Sequence, residues 1–230
     1  MFHSMTVNAK DGKSNELSVF FISDIHRRKI DEKLLRKLRK TGQFDLVIIG
    51  GDLVERGVPL SRVEQNVKLL SQLGPLFFVW GNNDREVGEP LLRDILGRHG
   101  CTILENCAVP VPGHSDWMIC GTDDPSSRKV DIDSTLRYID RDKYSILVTH
   151  TPSVFRKVEQ QYKPCLMLAG HTHGGQIRLG RLALQEKGKF WLEGERAKLI
   201  SNGYGTSTLP FRLGADPECH IIKIMYGDLQ

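Results

Sequence analysis

Two rhythms of apolar positions alternate along the first hundred residues. Leu17–Ile22, Leu46–Ile49 and Leu76–Trp80 are short, nearly unbroken apolar runs, which predicts strands buried on both faces. Between them the apolar positions return at helical spacing. A helix is predicted over residues 31–40, with Asp31 near its start and Ile30, Leu34, Leu35 and Leu38 as its inward stripe. A second begins at Ser61, where Ser61-x-x-Glu64 reads as a capping box, and a third spans Glu89–Arg98 and stops near Gly100. This β-α-β-α-β order implies parallel strands joined by right-handed crossovers. Further strands are predicted near 101–104, 117–120, 145–149, 165–169, 176–179, 198–201 and 219–225, with helices near 132–140 and 152–161. Strands dominate toward the C-terminus, so that half is expected to be antiparallel or mixed. Residues 1–16 read as a tail or a first edge strand, and 17–230 as one α/β domain holding two sheets.

Composition narrows the class without naming a function. The chain has 230 residues, 40% hydrophobic and 26% charged, enough for a substantial core. A net charge of +4 tolerates anionic substrates but predicts no specific nucleic-acid partner. Five cysteines without a C-x-x-C pair read as reduced core thiols. The polar start, MFHSMTVNAKDGKSNE, has no signal-like apolar region, so the expected location is the cytoplasm. The basic residues Lys33, Arg36, Lys37, Arg39 and Lys40 fall on the solvated face of the first helix. Arg27, Arg28 and Arg85 instead follow the strand ends closely and are placed to meet phosphate.

Candidate chemistry gathers where the strands stop, the usual ligand position of open α/β sheets. The first run ends Ser23-Asp24-Ile25-His26; alternation along an extended backbone puts Asp24 and His26 on one side. Others end Gly50-Gly51-Asp52, Gly81-Asn82-Asn83-Asp84, Thr149-His150 and Gly170-His171-Thr172-His173-Gly174-Gly175. Together they supply two aspartates, an asparagine and four histidines. Carboxylate oxygen with imidazole nitrogen suits Mn, Fe, Zn, Ni or Co better than Ca or Mg. Seven donors exceed one ion's needs but suit two ions sharing a carboxylate. Two such ions, about 3.5–4 Å apart, polarise a phosphoryl group and turn a bridging water into hydroxide. His3, His99, His114 and His220 match no strand end and read as structural.

Asp24-x-His26, Gly51-Asp52, Gly81-Asn82, His150 and Gly170-His171-x-His173 resemble, in order, the five blocks of the calcineurin-like metallophosphoesterases. The resemblance implies two facing mixed β-sheets flanked by helices, an αββα sandwich. It also implies two divalent metals, with manganese the first expectation. Asp24, His26 and His173 would hold one, Asn82, His150 and His171 the other, and Asp52 would bridge them. Asp52, Asn82, His150, Asn83 and Asp84 would form the catalytic set. The implied activity is hydrolysis of phosphodiester or phosphoanhydride bonds in a phosphate-containing small molecule, nucleotide or lipid-linked substrate. A catalytically weak metal-binding scaffold of the same fold is the alternative.

Asn83 departs from that pattern, because many family members have histidine there. An amide donates a hydrogen bond but no proton near neutral pH, which points to substrates with good leaving groups. Ser201–Ser207, then Leu209-Pro210-Phe211-Arg212 and Pro217-Glu218, resemble the ending of a bacterial phosphohydrolase subgroup that includes cell-envelope and lipid-precursor enzymes. That implies peripheral contact with a membrane.

Overall fold

The computed structural model describes residues 1–8, 15–137, 139, 143–177, 187–207 and 211–227. Its first half follows the predicted order: β1 (Phe2–Asn8), β2 (Asn15–Ile22), α1 (Glu32–Arg39), β3 (Leu46–Ile49), α2 (Leu60–Ser71), β4 (Leu76–Phe78), α3 (Glu89–Arg98) and β5 (Thr102–Ile103). Next come β6 (Cys107–Val111), β7 (His114–Gly121), α4 (Ile132–Leu136), β8 (Tyr144–Val148), α5 (Ser153–Glu159), β9 (Leu166–Ala169), β10 (Lys189–Glu193), β11 (Arg196–Ile200) and β12 (His220–Gly227).

Both six-stranded sheets are mixed. One runs β1-β12-β2-β3-β4-β5, with β12 antiparallel to β2 and the other pairs parallel. The other runs β10-β11-β9-β8-β7-β6, parallel in its centre and antiparallel at each edge. Strand alternation explains the sandwich. Leu17, Val19 and Phe21 of β2 join Ile146 and Val148 of β8 in a core between the sheets. Phe20 and Ile22 face the other way, onto Leu35, Val63, Leu70 and Leu92 of the helices. Leu147 and Met167 do the same on the second sheet, beneath Val154 and Val158 of α5. Strands covered on both faces must be apolar throughout, which is why these runs stood out.

Departures from the predicted elements have local causes. Asp31 caps α1 as expected, accepting from Leu34 N at 2.6 Å. The capping box at Ser61 does not form. Pro59 takes the N-cap with an extended ψ and the helix starts at Leu60, so Ser61 already lies inside it. Glu64 turns outward to Arg98 instead, at 2.5 Å. Two edge strands, β6 and β10, are additional. Pro110 and a register shift beside it disguise the first, and the half-exposed Phe190-Trp191-Leu192 the second. Near 176–179, Ile177 makes only isolated bridges to Leu213 and Gly214, while 178–179 lie outside the described residues. The helix near 132–140 is described only as α4, since 138 and 140 also lie outside. All five cysteines are free thiols. Among the described residues, no helix is long and apolar enough to cross a membrane.

Candidate metal centre

All seven predicted donors meet where β2, β3 and β4 of one sheet end beside β8 and β9 of the other. Asp24, His26, Asp52 and His150 are buried, whereas Asn82, His171 and His173 keep part of their surface open. His26 Nε2 lies 3.0 Å from His173 Nε2, and His173 Nε2 lies 3.4 Å from Asp24 Oδ1. Asp52 Oδ2 is 3.7 Å from His26 Nε2 and 3.3 Å from His150 Nε2. His171 Nδ1 is 3.2 Å from His150 Nε2 and 3.1 Å from Asn82 Oδ1. Metal bonds of about 2.0–2.2 Å at tetrahedral or octahedral angles separate neighbouring donors by about 2.8–3.6 Å. Five of the six spacings match the edges of such polyhedra, and the sixth, 3.7 Å between His26 and Asp52, is just longer. At most one proton fits between each facing pair of imidazole nitrogens, so the geometry suits a cation. Asp24, His26 and His173 form one possible ligand group, and Asp24, Asp52 and His150 another.

The backbone is bent to achieve this. Asp24, His26, Asp52, His171 and His173 all have positive φ, at 52°, 48°, 50°, 71° and 49°. Only Asn106, Arg128 and Gln176 share that feature among the other described non-glycine residues. Each such residue costs roughly 1–2 kcal/mol, and such strain concentrates at functional sites. The alternation argument for Asp24 and His26 is therefore corrected. They do face one site, but through left-handed turns, while Ile25 packs into the helix-covered core. The glycines in these blocks allow the approach. A Cβ on Gly51 would sit 2.6 Å from His150 Nδ1, and one on Gly81 would collide with the Asp52 carboxylate.

Each histidine's second nitrogen tells how it is held. His150 Nδ1 lies 2.9 Å from Gly50 O and donates its proton there, which turns Nε2 toward Asp52 and the ligand position. His26 Nδ1 lies 3.1 Å from Glu55 Oε2, and Glu55 pairs in turn with Arg27. Burial opposes charge on His150, but Asp52 beside it outweighs burial and lifts the imidazole to about 10. Burial likewise pushes the Asp52 carboxyl upward, yet His150, His26 and the Asn83 N–H together hold it well below the carboxylate range. Burial lowers His171 and His173, helped by His150 and His26 respectively.

Asn83 faces Asp52. Its backbone N–H donates to Asp52 Oδ1 and its side-chain amide to Oδ2, both at 2.8 Å. Asp84 is fully buried and accepts from Asp52 N (2.8 Å), Gly81 N (2.8 Å) and Val54 N (3.1 Å), so it staples two strand ends. Burial and the neighbouring Asp52 raise it to about 7.

The family model for calcineurin-like phosphoesterases matches residues 17–175. The chain belongs to that family. Its members are hydrolases that use divalent metals, and the donor set just described fits such ions. The chain is 44% identical over 225 residues to the protein YpbG of Bacillus subtilis (strain 168), covering 96% of this chain and 86% of YpbG. It is 25% identical over 233 residues to phosphodiesterase YaeI of Escherichia coli (strain K12), covering 90% and 82%. Among solved structures, TT1561 of Thermus thermophilus superposes with a TM-score of 0.57 at 13% identity, over 82% of this chain and 90% of that one. That last likeness is one of fold.

Within this metallophosphoesterase site, the three flanking arginines are already engaged. Arg85 Nη2 meets Asp123 at 2.9 Å and Glu105 at 2.9 Å, and its guanidinium lies over Trp80. Arg28 donates to Tyr204 O at 2.7 Å and stacks on that ring. Arg27 is committed to Glu55. The expected phosphate contacts from these side chains thus compete with formed ion pairs. The segment Ser201–Ser207 packs against the Asp24 turn, Tyr204 N donating to Ser23 O at 2.9 Å and Gly205 N to Asp24 O at 2.7 Å. Leu209 and Pro210 lie outside the described residues. Sequence reasoning missed Glu55, Asp123 and Asp124, and it quoted Arg212 only within a resemblance, without a role. The Gly121-Thr122-Asp123-Asp124 end of β7 carried the same apolar-run-then-polar signal as the five recognised blocks. His114 and Asp45 pair at 3.2 Å, and His3 and His220 at 3.0 Å, away from the seven donors.

Proposed function

We propose that the chain is a dinuclear metal-dependent phosphohydrolase that cleaves phosphodiester or phosphoanhydride bonds. One observation carries this reading: seven donors from five strand ends stand 3.0–3.7 Å from their neighbours, five of them on strained backbone. Asp24, His26 and His173 would hold one ion and Asn82, His150 and His171 the other, with Asp52 between. When bound, the ions supply Lewis acidity toward a phosphoryl oxygen and a water of lowered pKa. Manganese is the first candidate, on the mixed oxygen and nitrogen donor set.

The chain's own residues then set what the site can do. Asn82 contributes a neutral oxygen, which limits negative charge facing a phosphate. Gly50 O fixes the buried His150 imidazole so that it presents Nε2, and Glu55 stands beside His26 Nδ1 as a charge partner without a hydrogen bond to it. Asp84 and Asn83 hold Asp52 from its backbone and side-chain sides. Asn83 commits its amide to Asp52 and has no proton to give, so departing groups must leave as stable anions. Phosphoanhydrides and aryl phosphodiesters meet that need. The same observation favours a second reading, a metal-binding scaffold with slow turnover.

Hydrolysis of bis-p-nitrophenyl phosphate by the Mn²⁺-supplemented protein separates the two. Expected is turnover that is lost in both Asp52→Ala and His171→Ala. A wild type without turnover, or turnover unchanged by these substitutions, ends the enzyme reading.

A further inference from the structure

Arg212 is a guanidinium half-buried behind the centre, and its partners are unusual for a buried cation. Among the described residues they are five main-chain carbonyls and one imidazole nitrogen. Nε donates to Gly205 O at 2.8 Å, and Nη1 to His173 O and Ala215 O at 3.2 Å each. Nη2 reaches Asn202 O (2.7 Å), Gly203 O (3.1 Å) and Gly205 O (2.5 Å), and stands 3.3 Å from His173 Nδ1. Burial lowers its pKa and the Arg28 charge adds to that, against the opposing pull of Asp24, Glu218 and Asp216. A charge retained at that cost has a geometric task.

Four of the five carbonyls belong to two segments that bear on the first donor trio, while Ala215 O belongs to Arg212's own stretch of chain. One is the turn carrying His173. The other is the loop 202–205, which presses on the Asp24 turn so closely that a Cβ on Gly203 would lie 2.6 Å from Asp24 Cβ. Gly205 similarly has no room beside Ile25 O. Arg212 therefore clips the wall behind Asp24 to the turn behind His173. In the other trio His150 is fastened to Gly50 O and Asn82 sits on the β4 end, while His171 shares the His173 turn and its N–H donates to Asp24 Oδ1 at 3.1 Å.

We infer that Arg212 is a positioning residue for the Asp24–His26–His173 cation site, setting that site's affinity while leaving the Asn82–His150–His171 site largely untouched. The inference rests on the dinuclear reading proposed above.

Mn²⁺ binding by the full-length chain, counted by equilibrium dialysis and followed by EPR, tests it. Wild type is expected to take two ions with a spin-coupled signal. In Arg212→Ala one ion binds as before, the other's Kd rises about 10–100-fold, and the coupled signal gives way to that of isolated Mn²⁺. Guanidinium at a non-denaturing concentration restores the coupled signal, which a general loss of structure would not allow. Arg212→Lys keeps the charge without the planar fork and is expected to show the same selective loss; it decides the matter if circular dichroism shows Arg212→Ala unfolded. Two ions at unchanged affinity in whichever variant folds overturn the role of Arg212 alone. A wild type that binds no Mn²⁺ overturns the dinuclear reading as well.

Discussion

His26 and His150 each turn one imidazole nitrogen into the centre, but what stands behind the other nitrogen differs in kind. His150 leans on a main-chain carbonyl, Gly50 O, at 2.9 Å. His26 has instead a charge partner, the Glu55 carboxylate 3.1 Å from Nδ1 but outside hydrogen-bond geometry, and Glu55 is held by Arg27 from the surface. The contrast extends to both trios. Asp24, His26 and His173 include a carboxylate and are backed by charged side chains, Glu55 and Arg212. Asn82, His150 and His171 are neutral donors, with His150 fastened to the main chain. Support from the main chain comes with the fold, whereas support from side chains can be removed one substitution at a time. On the dinuclear reading proposed above, the Asp24–His26–His173 half is thus the adjustable one.

The strongest way to break this comparison is to delete one donor from each half. His173→Ala and His171→Ala are each expected to drop Mn²⁺ stoichiometry from two to one. Each should slow diester hydrolysis by about 10³-fold, several kcal/mol of lost charge stabilisation. Elemental analysis of the dialysed variants reads the stoichiometry. Loss of both ions from either variant would mean that the halves are one cooperative unit, and the distinction would fall.

A subtler cut sharpens it. Glu55→Gln keeps the shape of the support and removes its charge, so His26 becomes a poorer donor. One of the two Mn²⁺ dissociation constants should rise about 10–100-fold while the other stays put. Isothermal titration with Mn²⁺ resolves the two. A shift in both would show that Glu55 supports the whole centre rather than its first half.

That seven polar residues end apolar runs was legible in the sequence, while the residues that stand behind them were not, for a physical reason. Each donor ends an apolar run, and a run buried on both faces announces itself without knowledge of the rest of the fold. Even the glycines of Gly51-Asp52 and Gly81-Asn82 belong to that local signal. Glu55 and Arg212 take their roles from neighbours distant in sequence: His26 lies 29 positions before Glu55, and Arg212 reaches back to His173 across two strands. No local period marks such a pairing. The fold shows the same division. The central strands of both sheets followed from their runs, while β6 and β10 did not, because an edge strand is half-exposed and has no unbroken apolar signature. The left-handed turns at Asp24 and His26 were likewise invisible, since nothing in an aspartate or a histidine demands positive φ.

Asn83 gives the smallest and most discriminating test, because it touches Asp52, the carboxylate that would bridge the two proposed ions. Its amide donates to Asp52 Oδ2 at 2.8 Å, while its main-chain N–H independently holds Oδ1. In Asn83→Ala the main-chain bond survives and only the side-chain bond to a charged group is lost, worth about 1.5–3 kcal/mol. Turnover should fall about tenfold, at the low end of that range because Asp84 still anchors the Asp52 main chain. If Asn83 acts only through Asp52, this factor is the same for aryl and alkyl phosphodiesters, since no proton reaches the leaving group from it in either case. Parallel kcat measurements on p-nitrophenyl and methyl diesters of one phosphate make the comparison directly. A much larger loss on the alkyl ester would place Asn83 at the departing oxygen, and the Asp52 carboxylate would then have only the main chain to hold it in place.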